Sequence, residues 1–161
     1  MQSTPASQLE TVDLFDREFT SLIDSLRTLT KSVPAELLYR RPPSITIGEN
    51  ILKSAGVVEQ TFGGITTNLW DDPFEWTLPE TLSTPEHLLE YLSEVETTKS
   101  RAFRSFVDDK TLLKYIAVPS GDPCRLLELL VRTLIAAADY RGQAGSTLKM
   151  LSDVSAPGFI I

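Results

Sequence analysis

Four stretches of this chain repeat their apolar residues every three to four positions, and prolines stand between them. Such a period places the apolar side chains on one helix face, and that face has to be buried against a similar one. The first stretch, about 9–32, carries Val12, Phe15, Phe19, Leu22, Leu26 and Leu29, and Pro34 and Pro42-Pro43 close it. The second, about 46–70, opens on Thr46 and Glu49 at the spacing of a capping box and continues through Ile47, Ile51, Ala55, Val58, Phe62, Ile65 and Leu69. The third, about 84–107, opens on Thr84-Pro85-Glu86, with cap, first-turn proline and acid in the favoured order. Its stripe is Leu88, Leu92, Val95, Ala102, Phe103 and Phe106. The fourth, about 122–151, is read from Asp122-Pro123 through Leu126, Leu127, Leu130, Leu134, Ala137, Ala138, Ala144 and Leu148.

Nothing between these stretches alternates as a strand would. The expectation is therefore one all-α domain spanning residues 1–161, an up-and-down four-helix bundle. The link between the second and third helices, punctuated by Pro73 and Pro79, is long enough to cross the bundle. Gly63-Gly64 costs the second helix about 1 kcal/mol per glycine relative to alanine, which predicts close packing or a kink there. Leu112-Leu113 and Tyr115-Ile116 read as a short apolar strap before the fourth helix, and the apolar tail, residues 157–161, is expected to pack on the body.

Charge narrows the partners. The 15 basic and 22 acidic residues leave a net charge of −7, which repels phosphate backbones, and Arg40-Arg41 is the one adjacent basic pair, so no nucleic-acid partner is expected. No apolar run reaches the ~20 residues of a membrane span; the oiliest, 126–138, is interrupted by Glu128 and Arg132. The first residues have neither a basic start nor an apolar core, unlike a signal peptide. A lone cysteine, Cys124, forms no internal disulfide, and a cytoplasmic setting is expected.

The fourth stretch is the most specific. Asp122-Pro123, a leucine-rich run and Tyr140-Arg141-Gly142-Gln143 follow in order after Pro42-Pro43-Ser44-Ile45-Thr46-Ile47-Gly48-Glu49, the loop from Trp70 to Trp76, and Thr84-Pro85-Glu86. In these landmarks the chain resembles the DinB/YfiT-like superfamily over about residues 9–151. The resemblance implies a four-helix bundle that is commonly a homodimer. Many members bind a divalent metal through three histidines, one on the second helix and two on the fourth at i, i+4, a spacing that puts both imidazoles on one face. Related members are described as metal-dependent hydrolases or as transferases that use low-molecular-weight thiols.

Carried over position by position, those histidines fall at Lys53, Ala136 and Tyr140. Alanine has no ligand atom, lysine is protonated near neutral pH, and a phenol binds zinc poorly, so no metal and no other cofactor is expected. Lys53, Ala136 and Tyr140, with Arg141 and Gln143 beside them, remain pocket candidates, and a hydrogen bond between Lys53 and Tyr140 across the bundle is one expected arrangement. The sole histidine, His87, belongs to the first turn of the third helix and reads as solvated. Glu59 and Asp139 are the nearest carboxylates, but Asp139 points about 100° away from Tyr140 around the helix. Cys124 is placed in the first turn of the fourth helix. There is no phosphate-binding glycine loop and no nucleophile elbow. The reading is a DinB-like protein without the metal site, a non-catalytic small-molecule-binding or interaction module. The alternative is an enzyme of the same superfamily, hydrolase or thiol-dependent transferase, with a rebuilt or metal-free site.

Overall fold

A computed structural model describes residues 9–76 and 79–153. Its framework is four long helices, α1 (Glu10–Ser32), α2 (Ile47–Thr67), α4 (Pro85–Arg104) and α5 (Leu126–Leu151), with α3 (Pro73–Trp76) a single turn in the second connection. The expected all-α bundle is therefore present. Residues 1–8 and the apolar tail, 157–161, lie outside the described residues.

Local chemistry accounts for most helix starts. Thr46 Oγ1 accepts from the backbone N–H of Glu49, and the Glu49 carboxylate accepts from the N–H of Thr46, completing the capping box. The Thr84 hydroxyl accepts from the N–H of His87, with Pro85 in the first turn. Leu9 gives α1 no side-chain cap. The carboxylate of Asp109, almost a hundred residues away, accepts instead from the N–H groups of Thr11 and Val12 at 2.9–3.1 Å. Asn68 ends α2 in the left-handed conformation (φ 56°), which asparagine tolerates better than most residues. Leu69, read above as part of the helical stripe, consequently lies past the helix end and is 62% exposed.

The start of the last helix differs from the sequence reading. Asp122-Pro123 does not open it; α5 begins at Leu126. Cys124–Arg125 instead forms a two-residue strand, β2, antiparallel to β1 (Tyr115–Ile116), and the N–H of Leu126 donates to the carbonyl of Lys114. Backbone groups that a helix would have used are committed to this ladder, and Glu128 accepts from the N–H of Arg125 at the true start. Cys124, buried, thus precedes the helix and is not in its first turn. The apolar strap packs only in part: Leu112, in a 3-10 turn over Asp109–Leu113, is buried, while Leu113 and Tyr115 are exposed.

Side-chain pairings fix the helix directions. Glu96 accepts from Arg27, and Lys99, further along α4, reaches back to Asp16, so α4 runs antiparallel to α1. Glu59 meets Tyr91 and Phe62 meets Phe103, so α4 runs parallel to α2. Ser54 meets Ala137 and Lys53 meets Tyr140, so α5 runs antiparallel to α2. The second connection does cross the bundle, so the order of directions is up, down, down, up and not the strict alternation of an up-and-down bundle. Three rings, Phe19, Phe62 and Phe103, pin α1, α2 and α4 together, with Phe19 and Phe62 edge to face at 4.8 Å.

Two glycines are required by close approaches. A Cβ on Gly48 would overlap the Tyr39 ring, and one on Gly64 would overlap the Trp70 indole. The Gly63-Gly64 pair therefore does admit a close neighbour, a tryptophan from the following loop. No described helix is long and apolar enough to cross a membrane.

Candidate functional site

The most extensive helix pair is α2 with α5, and its register is set by two buried polar ties. Ser54 Oγ donates to the carbonyl of Ala137 at 2.7 Å, and the hydroxyls of Thr61 and Thr133 lie 2.7 Å apart. Small residues on α5, among them Ala137, Ala144 and Gly145, are buried and let the backbones approach. In this register the candidate residues Lys53 and Tyr140 come together.

They do not form the hydrogen bond considered above. The Lys53 ammonium lies over the Tyr140 ring, 5.8 Å from its centroid, and over the Phe74 ring at 5.2 Å. Among the described residues no carboxylate pairs with it. A cation over two aromatic faces is stabilised by their quadrupoles. Phe74, contributed by α3, went unnoticed in the sequence because the crossing loop showed no periodicity to place it. Ala136 lies one turn before Tyr140 on α5 and is half-buried, as is Arg141. Gln143 belongs elsewhere: it is exposed, and its Nε2 donates to Asp139 at 2.9 Å.

The two nearest carboxylates, Glu59 and Asp139, are also apart. Glu59 faces α4 and accepts from the Tyr91 phenol at 2.6 Å, whereas Asp139 is engaged by Gln143 on the α5 surface. His87 is exposed at the start of α4. Among the described residues no three His, Cys, Asp or Glu side chains are grouped to hold a metal ion, and the set at positions 53, 136 and 140 does not supply ligand atoms for one.

Two clefts open on the bundle, and neither is lined by Lys53, Phe74, Ala136 or Tyr140. One, about 600 Å³, lies between α2 and α4 and is lined by Glu59, Asp71, His87, Glu90, Glu94 and Arg101 among others. The other, about 620 Å³, lies where the 43–45 segment and the N-terminal turn of α2 face the second half of α5. Its polar lining includes Ser44, Asn50, Asp139, Gln143, Ser146 and Thr147. Asn50 is only 2% exposed, and its Oδ1 has no hydrogen-bond donor. A sequence signal for it existed: Asn50 falls on the same helical face as Ile47 and Ile51, so a polar side chain sits within an apolar stripe.

Nearby ionisable groups serve the scaffold around this second cleft. Burial pushes the Glu49 carboxyl up, but the N–H and hydroxyl of Thr46 and the Arg41 guanidinium outweigh it and hold the group below its ordinary value. Burial, followed by the charges of Glu49 and Glu80, raises the Tyr39 phenol. Its hydroxyl donates to the carbonyl of Leu82 at 2.5 Å and so ties the 34–41 segment to the crossing connection.

Comparison with models of known protein families finds no match, and a search of curated proteins finds no significant one.

Proposed function

We propose that this chain is a DinB/YfiT-like bundle without the metal site, acting as a non-catalytic small-molecule-binding module. The observation that carries the reading is the Lys53 ammonium held between Phe74 and Tyr140. At the position where the resemblance implies a metal ligand there is a fixed organic cation with aromatic walls. A divalent ion brought there would meet a like charge and no ligand atom from Ala136. Two clefts elsewhere on α2, one toward α4 and one toward α5, supply volume for a small ligand.

A homodimer in the cytoplasm is part of this proposal. It is supported by exposed apolar side chains on neighbouring faces of α1 and α5, Leu14, Val131 and Ile135, and by the single, unpaired cysteine. Light scattering on purified protein is expected to give twice the chain mass; a monomer at micromolar concentration removes the dimer from the proposal.

The metal reading is tested in two arms. Wild-type protein incubated with zinc, nickel or manganese and desalted is expected to retain none, and one tightly held ion per chain would overturn the proposal. The triple variant Lys53→His, Ala136→His, Tyr140→His is expected to gain one zinc per chain. A folded triple variant that binds no zinc would show that these positions do not correspond to the family's ligands.

A further inference from the structure

A buried polar atom without a partner is costly, because it has lost water and gained nothing in exchange. Asn50 Oδ1 is such an atom, and its residue lines an open cleft. Thr46, four residues earlier, is consumed by the capping box, and Ser54, four residues later, by Ala137. Asn50 alone on this face of α2 is left with an unused acceptor.

The rest of the lining says what would complete it. Asp139 stands at the rim with one carboxylate oxygen, Oδ2, accepting from Gln143, and its Oδ1 forms no hydrogen bond among the described residues. Ser44, Ser146 and Thr147 add hydroxyls, while Ile45 and Ala138 give the cleft apolar surface. No lysine or arginine lines it, and the chain as a whole carries −7. An anion would meet a carboxylate and no counter-charge. A ligand bearing several N–H donors and a positive charge meets the opposite situation, with a neutral acceptor at the floor and an anionic one at the rim.

We propose that the cleft between the 43–45 segment, α2 and α5 is a binding site for a small organic ammonium ion, which donates hydrogen bonds to Asn50 Oδ1 and Asp139. This deepens the binding-module reading and rests on it for its biological sense. It does not depend on the correspondence of Lys53, Ala136 and Tyr140 to metal ligands, so the triple-histidine experiment and this one can fail separately.

The test compares three probes of similar size by NMR titration of the full chain: ethanolamine (ammonium), ethylene glycol (neutral) and glycolate (anion). Ethanolamine is expected to shift the Asn50 side-chain amide and the Thr147 backbone signal saturably, with affinity about tenfold or more above ethylene glycol. Glycolate is expected to leave them unmoved. Asp139→Asn, on the exposed rim, is expected to weaken ethanolamine about tenfold with the fold intact. Asn50→Leu is expected to abolish the shift at Thr147 while leaving the unliganded protein at least as stable, since it removes the orphaned acceptor. The absence of a saturable shift overturns the site. So does equal binding of glycol, preferred binding of glycolate, or ethanolamine affinity unchanged in Asp139→Asn. Asn50→Leu falling in stability with no ethanolamine response in wild type would assign Asn50 to an internal water alone.

Discussion

Two of the helical glycines, Gly64 and Gly142, stand in opposite surroundings. Gly64 is covered by the Trp70 indole, so Gly64→Ala forces the ring out of its seat and is expected to cost roughly 1–3 kcal/mol. Gly142, exposed inside α5, has no atom within 4 Å of the place its Cβ would take. Gly142→Ala is therefore expected to stabilise the protein by roughly 0.5–1 kcal/mol through helix propensity alone. Chemical denaturation of both variants checks the opposite signs. The buried ammonium of Lys99, 3% exposed, makes a similar contrast. It donates to Asp16 at 2.6 Å and to Thr20 at 2.8 Å, above the Phe103 ring. Asp16→Ala leaves that charge without its counter-ion and is expected to cost about 2 kcal/mol, a value reduced because Asp16 is partly exposed. Lys99→Met removes the charge and keeps the volume, and is expected to cost less than about 1 kcal/mol. Equal losses in the two variants would show that packing rather than charge governs the position. Lys99 stands four residues after Val95 and four before Phe103, so its place in the third apolar stripe was legible, but its compensating carboxylate was not, because it comes from another helix.

Among the elements, helix starts were legible where the cap is local. Thr46 with Glu49, and Thr84 with Pro85, carry their own instructions within four residues. The start of α1 is different, because its cap is Asp109 from the connection after α4. Asp109→Ala is expected to lower the thermal midpoint and to speed hydrogen exchange at Thr11 and Val12 while leaving the N-terminal turn of α2 unchanged. Exchange that accelerates uniformly would argue against a capping role. Asp122-Pro123 misled in the reverse direction. A local signal with the form of a helix start was overridden by the pairing of Cys124–Arg125 with Tyr115–Ile116, which only the folded chain brings together. The third helix likewise stops at Arg104, short of Phe106, although Phe106 is still buried against Phe103.

At the level of the whole molecule, acid sensitivity follows from carboxylates that join separate segments. Asp109 resembles Glu49 in this respect: burial alone would push it up, but the N–H groups of Thr11 and Val12 hold it below its ordinary value. Both therefore stabilise the fold fully above the ordinary carboxylate range, about pH 4 to 5, and that contribution is lost as the pH falls through their lowered folded values. The thermal midpoint is expected to drop across this interval, and the double variant Glu49→Gln, Asp109→Asn to show a smaller drop. An unchanged slope would assign the acid response to other groups.

Four periodic stretches, their prolines and two local capping sequences were sufficient for the number of long helices, their approximate limits and the apolar face of each. These depend on residues three or four apart, which a linear sequence displays directly. Lys53 and Tyr140 could be singled out in the sequence through the resemblance, but the manner of their meeting, a cation over two rings with Phe74 as the second, required the crossing connection to bring α3 onto α2. The parallel course of α2 and α4, the distant cap of α1 and the unpartnered oxygen of Asn50 likewise belong to the tertiary structure. Each depends on groups far apart in the chain, whose approach is fixed by packing and by what remains unsatisfied once packing is complete.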